Sequence, residues 1–327
     1  MAKSVFRRYL LLMLMVGCLL QPLLAFVYWT QLKPYLTWAH HRVVDVTLFP
    51  SPVRWSLVDA YVAHTIARET KPLVLVMGDS EPYGLHVEDN LTFSHLLAER
   101  LPDYAVFNLS FIDGRFTDME QVIDSLIRHN VHPAFVIFDI NITHFFGPRE
   151  PHPHDPNVVL VPPPLPLWAA VAAATLPNVQ QVFRVKENRP VIRPDTFEYV
   201  PLPKDYLPRI ASPLFDHSFS HLLDKLNPLG GKIVAYMAPY AVESFAHYGF
   251  DESAFRRLSA GYTGICRKSG VRCLDLSETL TLDDFIDIIH LNRQGHALLA
   301  QRLQQEIVKT SSKASRVTAT SQLQNEQ

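Results

Sequence analysis

Basic residues are not in excess: 30 Lys and Arg stand against 32 Asp and Glu, a formal net charge of −2 over 327 residues. No basic block lies beyond the extreme N-terminus, which argues against a nucleic-acid partner held by a charged face. No internal repeat is visible. Cysteine is scarce, with three in all. Cys18 lies inside an apolar run, leaving Cys266 and Cys273 to close the short loop Cys-Arg-Lys-Ser-Gly-Val-Arg-Cys. His152-Pro153-His154-Asp155 has metal-binding side chains, but prolines flank and split it and no partner ligand is evident. No metal site is read there, and no cofactor is expected.

What is present begins with a long apolar run. Lys3, Arg7 and Arg8 precede Tyr9–Trp29, 21 residues interrupted only by Gln21 and Pro22. A helix of that length spans roughly 30 Å, the hydrocarbon thickness of a bilayer. Residues 1–30 are therefore read as a single-pass inner-membrane anchor with its N-terminus cytoplasmic and the rest of the chain periplasmic or otherwise extracytoplasmic. A cleaved signal peptide is the rival, but the run is long and no clear small-x-small site follows. Met15-Val16-Gly17-Cys18 has the look of a lipoprotein box, although Leu19 onward stays apolar. In an oxidising compartment Cys266 and Cys273 are expected to pair as a structural disulfide; two unpaired thiols are the alternative.

With 48% hydrophobic residues, the remaining length suffices for one α/β domain plus extras. Residues 31–70 read as a connector and a packing helix, with Trp55, Val58, Tyr61, Val62 and Ile66 at helical spacing. Buried strands are expected over 73–77, 104–109, 134–138, 232–237 and 271–276, with helices between them. That alternation gives a parallel sheet of five strands. Within the domain, 71–309, residues 147–212 interrupt the alternation. Eight prolines fall between Gly147 and Pro166, and the stretch is read as an inserted lid beside the site. Residues 310–327 are mostly Ser, Thr, Gln and Asn without an apolar period, and are read as a disordered tail.

Two stretches carry chemistry. Leu73–Met77 is a run of five apolar residues that stops at Gly78-Asp79-Ser80, placing a serine at a strand's carboxyl end, where α/β sheets bind ligands. Asp287-Ile288-Ile289-His290, followed by Leu291-Asn292-Arg293-Gln294-Gly295, sets an acid three residues before a histidine, ahead of a last helix that Asn292 can cap. A serine nucleophile needs a base, and that base needs a carboxylate to fix its tautomer. The Gly-x-Ser-x-Gly elbow of α/β-hydrolases is absent. Asp79 reads as an acceptor for turn amides. Glu81 receives no role, and His86 and His144 are taken as surface or satisfied histidines.

Gly-Asp-Ser after a buried strand, with Asp-x-x-His-Leu-Asn-x-x-Gly near the C-terminus, resembles the SGNH (GDSL-type) hydrolases over roughly residues 70–145 and 213–308. The resemblance implies a three-layer α/β/α flavodoxin-like fold, with Ser80 as nucleophile, His290 as base and Asp287 as its orienting acid. It also implies three oxyanion donors: the amide of Ser80, the amide of Gly114 and the side chain of Asn141. Ser110 is an alternative to Gly114, and Asp139-Ile140-Asn141-Ile142 departs from the family's Gly-x-Asn-Asp. Tethered extracytoplasmic members are similar to proteins that add or remove acetyl groups on cell-envelope polysaccharides, beside a multi-span membrane acyltransferase. The expected function is thus a serine esterase or O-acyltransferase acting on an acylated glycan or small ester. The alternative is a non-catalytic module that binds a glycan or docks a partner in the same cleft.

Overall fold

Strands buried on both faces need apolar side chains at every position, and the first strand supplies them. The computed structural model describes residues 51–111, 114–141, 193–200, 215–276 and 279–325. The expected anchor 1–30, the connector to residue 50 and all of the expected lid except 193–200 lie outside these residues. Among the described residues no helix is long and apolar enough to cross a membrane.

The elements in chain order are α1 (Ser51–His64), β1 (Leu73–Met77), α2 (Ser80–Tyr83), α3 (Phe93–Arg100), β2 (Ala105–Asn108), α4 (Phe116–Arg128) and β3 (Phe135–Ile140). They continue with α5 (Phe215–Leu226), β4 (Lys232–Met237), α6 (Phe245–Tyr248), α7 (Glu252–Lys268), β5 (Arg272–Asp275) and α8 (Arg293–Asn325). The five strands form one sheet in the order β2-β1-β3-β4-β5. Every pairing is parallel. Chain order reverses between β1 and β3, and such a switch point opens a crevice at the carboxyl ends of the strands.

Alternation along the strands divides the core into two layers. Val74, Val76, Val106, Phe135, Ile137, Val234 and Tyr236 meet α3 and the inner face of α8, including Leu299, Leu303 and Ile307. On the other face Phe138 lies 6.0 Å, centroid to centroid, from Phe219 of α5. Phe219 also meets Phe116 of α4 and Tyr262 of α7 at 5.9 and 5.8 Å. Tyr61 of α1 stands edge-on to Phe107 of β2. The result is a three-layer α/β/α arrangement.

Helix α3 starts at Phe93, because Thr92 is extended and accepts the His95 amide at its hydroxyl. Two details differ from the sequence expectation. Helix α8 runs to Asn325, so residues 310–325 continue a helix where a disordered tail was expected. No proline or glycine occurs there to stop the i→i−4 ladder, and the Thr310 hydroxyl bonds back to the Glu306 carbonyl at 2.7 Å. Cys266 and Cys273 stand as two separate thiols, not the expected bridge. The end of α7 and strand β5 hold them at hydrogen-bonding separation, and that bond together with burial pushes the Cys266 thiol up.

Phe219 is fully buried and links three other rings. Phe219→Ala is expected to remove about 3–5 kcal/mol of unfolding free energy. Urea denaturation followed by circular dichroism reads the loss, and a loss under about 1 kcal/mol would mean that the α4–α5–sheet layer is not packed as described.

Candidate active site

Ser80 opens α2 directly after β1, and Asp79 caps that short helix by accepting the Glu81 amide at 3.0 Å. The residue before the cap must have no side chain. A Cβ on Gly78 would lie 2.1 Å from Asp139 Oδ1 and 2.3 Å from Pro82. The chain thus turns sharply off the strand and leaves Ser80 at the carboxyl edge, 8% exposed. Its amide is the first of the helix and has no intrahelical acceptor.

The histidine arrives from a tight loop 210 positions further on. Phe285 and Leu291 form an isolated antiparallel bridge, and the Ile286 amide donates to the His290 carbonyl at 2.8 Å. Inside this loop Asp287 Oδ1 accepts the amides of Ile289 and His290 at 3.1 and 2.9 Å. The same carboxylate meets His290 Nδ1 at 2.8 Å through Oδ2 and 2.9 Å through Oδ1. His290 Nε2 then lies 2.9 Å from Ser80 Oγ. Asn292 caps α8 as expected: its Oδ1 accepts the Gly295 amide at 3.1 Å, and its Nδ2 donates to Asp283 O at 2.6 Å. Burial works to raise the Asp287 pKa, but the His290 ring and the two amides outweigh it and hold the acid at about 2. Its contribution to stability is present above the unfolded carboxyl value and is lost as the pH falls through about 2.

The expected oxyanion donors fare differently. Asn141 follows β3 and is buried, and the Tyr240 hydroxyl donates to its Oδ1. With that oxygen engaged, the amide nitrogen is the end that carries hydrogens to donate. Gly114 is brought against Gly78, whose carbonyl would meet a Gly114 Cβ at 2.4 Å. Its amide, however, donates to Phe111 O at 2.9 Å, and the Ser110 amide donates to Asn108 Oδ1 at 3.0 Å. Both amides are taken within their own turn. Gly114 therefore allows a close backbone approach and does not offer the donor expected of it.

Beneath the serine lies an acidic cluster that sequence reasoning left without a role. Glu81 is 1% exposed and accepts the Tyr236 hydroxyl at 2.7 Å. Burial raises its pKa to about 8, with the Tyr236 bond opposing and the Asp79 charge assisting. Asp139 is wholly buried beside Asp79, and burial, then the charges of Asp79 and Glu81, push its pKa well up. The hydrogen bond between the Asp139 and Asp79 side chains acts in the same direction.

Residues 193–200 cross over the site. The Arg193 amide donates to His86 O at 3.2 Å, and the Glu198 amide donates to Ile286 O at 2.7 Å. Asp195 pairs with Arg293 at 3.3 Å. The Arg193 guanidinium stands 3.7 Å from Asp287 Oδ2. The His86 ring meets the His290 ring edge-on, at 5.3 Å between centroids. Among the described residues His86, Asp287 and His290 come nearest to a cation cage, with donor atoms within 4.8 Å of one another. The Arg193 charge beside Asp287 opposes a cation there.

No family model matches the chain, and no curated protein matches it. Among solved structures it is similar to an acetyl xylan esterase, at 14% identity and a TM-score of 0.44 over 72% of this chain and 98% of that one. It is similar to a lipolytic protein of the G-D-S-L family from Veillonella parvula, at 10% identity and a TM-score of 0.43 over 70% and 94%. A carbohydrate acetylesterase from Sinorhizobium meliloti matches at 12% identity and a TM-score of 0.42 over 73% and 100%.

Glu81 gives a prediction. Its pKa in the folded chain, about 8, lies above the unfolded carboxyl value near 4. The stability linked to its proton is fully present below about pH 4 and is lost as the pH rises through about 8. Glu81→Gln keeps an acceptor for Tyr236 and cannot ionise. It is expected to flatten the fall in Tm between about pH 5 and 9 and to melt a few degrees above wild type at pH 9. Parallel slopes for the two proteins would show that Glu81 does not hold its proton.

Proposed function

We propose that this protein is an SGNH-type serine acyl hydrolase or acyltransferase that works through an acyl-serine intermediate. One observation carries the proposal: Ser80 Oγ, the His290 ring and the Asp287 carboxylate form a continuous chain with links of 2.9 and 2.8 Å at the carboxyl edge of a parallel sheet. Ser80 Oγ bonds to the acyl carbon while its proton passes to His290 Nε2, and Asp287 holds the ring and stabilises the imidazolium. The Ser80 amide and the Asn141 side chain donate to the carbonyl oxygen as it gains charge. His290 then gives the proton to the departing alkoxide. In the second half His290 takes a proton from water, or from a sugar hydroxyl, as that oxygen bonds to the acyl carbon and Ser80 is released with its own proton restored. Water makes the reaction hydrolysis; a sugar hydroxyl makes it transfer.

We read the substrate as an acyl ester, in the first instance acetyl, of a cell-envelope glycan. This follows the resemblance of the motifs to tethered members of the family, together with the apolar Tyr9–Trp29 run behind three basic residues. Residues 1–30 would anchor the domain on the outer side of the inner membrane, where a multi-span acyltransferase is the natural partner. The competing reading is a binding module that keeps the fold without turnover; the amide that Gly114 withholds favours it, and the hydrogen-bonded Ser80–His290–Asp287 chain favours the enzyme.

A fluorophosphonate probe is expected to label the wild-type protein and to leave Ser80→Ala unlabelled. A wild-type chain that neither labels nor cleaves an aryl acetate would favour the binding module. Tyr240→Phe frees the Asn141 carbonyl and lets the side chain rotate. It is expected to lower kcat about 10- to 100-fold with KM for an aryl acetate little changed. Full activity in this variant would remove Asn141 from the oxyanion role.

A further inference from the structure

The 193–200 segment places a fixed cation beside the acid of the proposed triad. Three backbone or ionic ties hold it there: Arg193 N to His86 O at 3.2 Å, Glu198 N to Ile286 O at 2.7 Å, and Asp195 to Arg293 at 3.3 Å. Arg293 is itself locked to Glu88 at 2.6 Å. The segment is thus fastened on both sides of the Asp287–His290 loop, and Phe197 packs into the core below it. Out of this strap the Arg193 side chain reaches Asp287 Oδ2 at 3.7 Å, itself 31% exposed against 5% for the acid. Arg293 spends its charge on two acids, whereas the only acid against which the Arg193 guanidinium pairs among the described residues is Asp287.

We propose that Arg193 is a positioning residue for the Asp287–His290 pair, a fixed positive charge that braces the carboxylate from outside and restrains the imidazole from taking a proton prematurely. The proposal rests on the esterase reading given above. A carboxylate shared between a ring and a guanidinium stabilises the imidazolium less than one devoted to the ring alone. The guanidinium also repels the imidazolium directly. Both effects act against the imidazolium form of the ring. The cation contacts Asp287 and touches no reacting atom.

The other groups around the pair can be enumerated. His86 faces His290 edge-on from the loop after α2. Tyr248 of α6 has its hydroxyl pushed up first by burial and, among lesser causes, by the Asp287 charge. Arg293 is held between Glu88 and Asp195 at the start of α8, a trio that keeps a net negative charge. Arg193 is the one charge among these that is set against the acid itself.

The test compares kcat/KM against pH for wild type, Arg193→Lys and Arg193→Gln on an aryl acetate. Losing the charge is expected to move the acid limb upward by about 0.5–1 pH unit, an effect reduced from the bare Coulomb value by the exposure of the guanidinium. Arg193→Lys is expected to stay near wild type, and KM to stay constant in all three. An unmoved limb in Arg193→Gln, an equal shift in Arg193→Lys, or a change confined to KM would each overturn the proposal. Proton uptake by the His290 ring, followed by NMR in a Ser80→Ala background with and without Arg193→Gln, reads the same shift without turnover. Repeating it in His86→Gln removes the second imidazole. An inactive wild type would therefore strike the esterase reading alone, while an unmoved His290 titration would strike the Arg193 proposal alone.

Discussion

One carboxylate organises both the shape and the proposed chemistry of the site. Asp287 accepts two amides of its own loop, those of Ile289 and His290, and so folds the chain back on itself. The same group bonds the His290 ring, so the contact that forms the loop also aims the imidazole at Ser80. Local folding and functional geometry are thus one interaction, and a sequence spacing of three residues suffices to encode it. The sheet adds the second half by ending β1 at the same edge. Together they bring a serine and a histidine 210 positions apart in sequence to 2.9 Å.

Beneath that edge the structure tolerates what cores ordinarily avoid. Asp79, Glu81 and Asp139 are all buried within one small volume under the nucleophile. Burying three negative charges together would be very costly, and burial pushes the pKa of both Glu81 and Asp139 upward, toward the neutral form. The close approach of Asp139 and Pro82 leaves no room for a side chain at the position after β1, so a glycine must stand there. Departures from local rules of this kind gather at sites where geometry matters more than stability.

The sequence exposed whatever depends on short-range pattern. Five apolar strands, the serine after β1, the Asp-x-x-His spacing and the Asn292 cap are each visible within about ten residues, and the structure places them as that pattern suggests. Contacts made across long loops were not legible. Tyr240 and Tyr236 look like ordinary core aromatics until β4 is set beside β3, where one hydroxyl meets Asn141 and the other meets Glu81. Arg193 lies in a proline-punctuated stretch with no motif, and only the folded path brings it to Asp287. Gly114 shows the opposite failure. Its identity and place suggested a donor, but its amide turns inward to Phe111, a matter of a single backbone hydrogen bond that no residue pattern records. The length of α8 was missed because weak helix formers without a breaker can extend a helix already nucleated upstream.

The distance in sequence between serine and imidazole has a consequence for how the protein comes into being. Synthesis delivers the hydroxyl first and the ring 210 residues later, so a nascent or truncated chain holds a dormant alcohol with no partner to activate it. Competence arrives only when the final helix docks and draws the loop before it into place. Under the proposed mechanism, topology alone thereby keeps the serine from premature reaction with whatever the growing polypeptide encounters on its way.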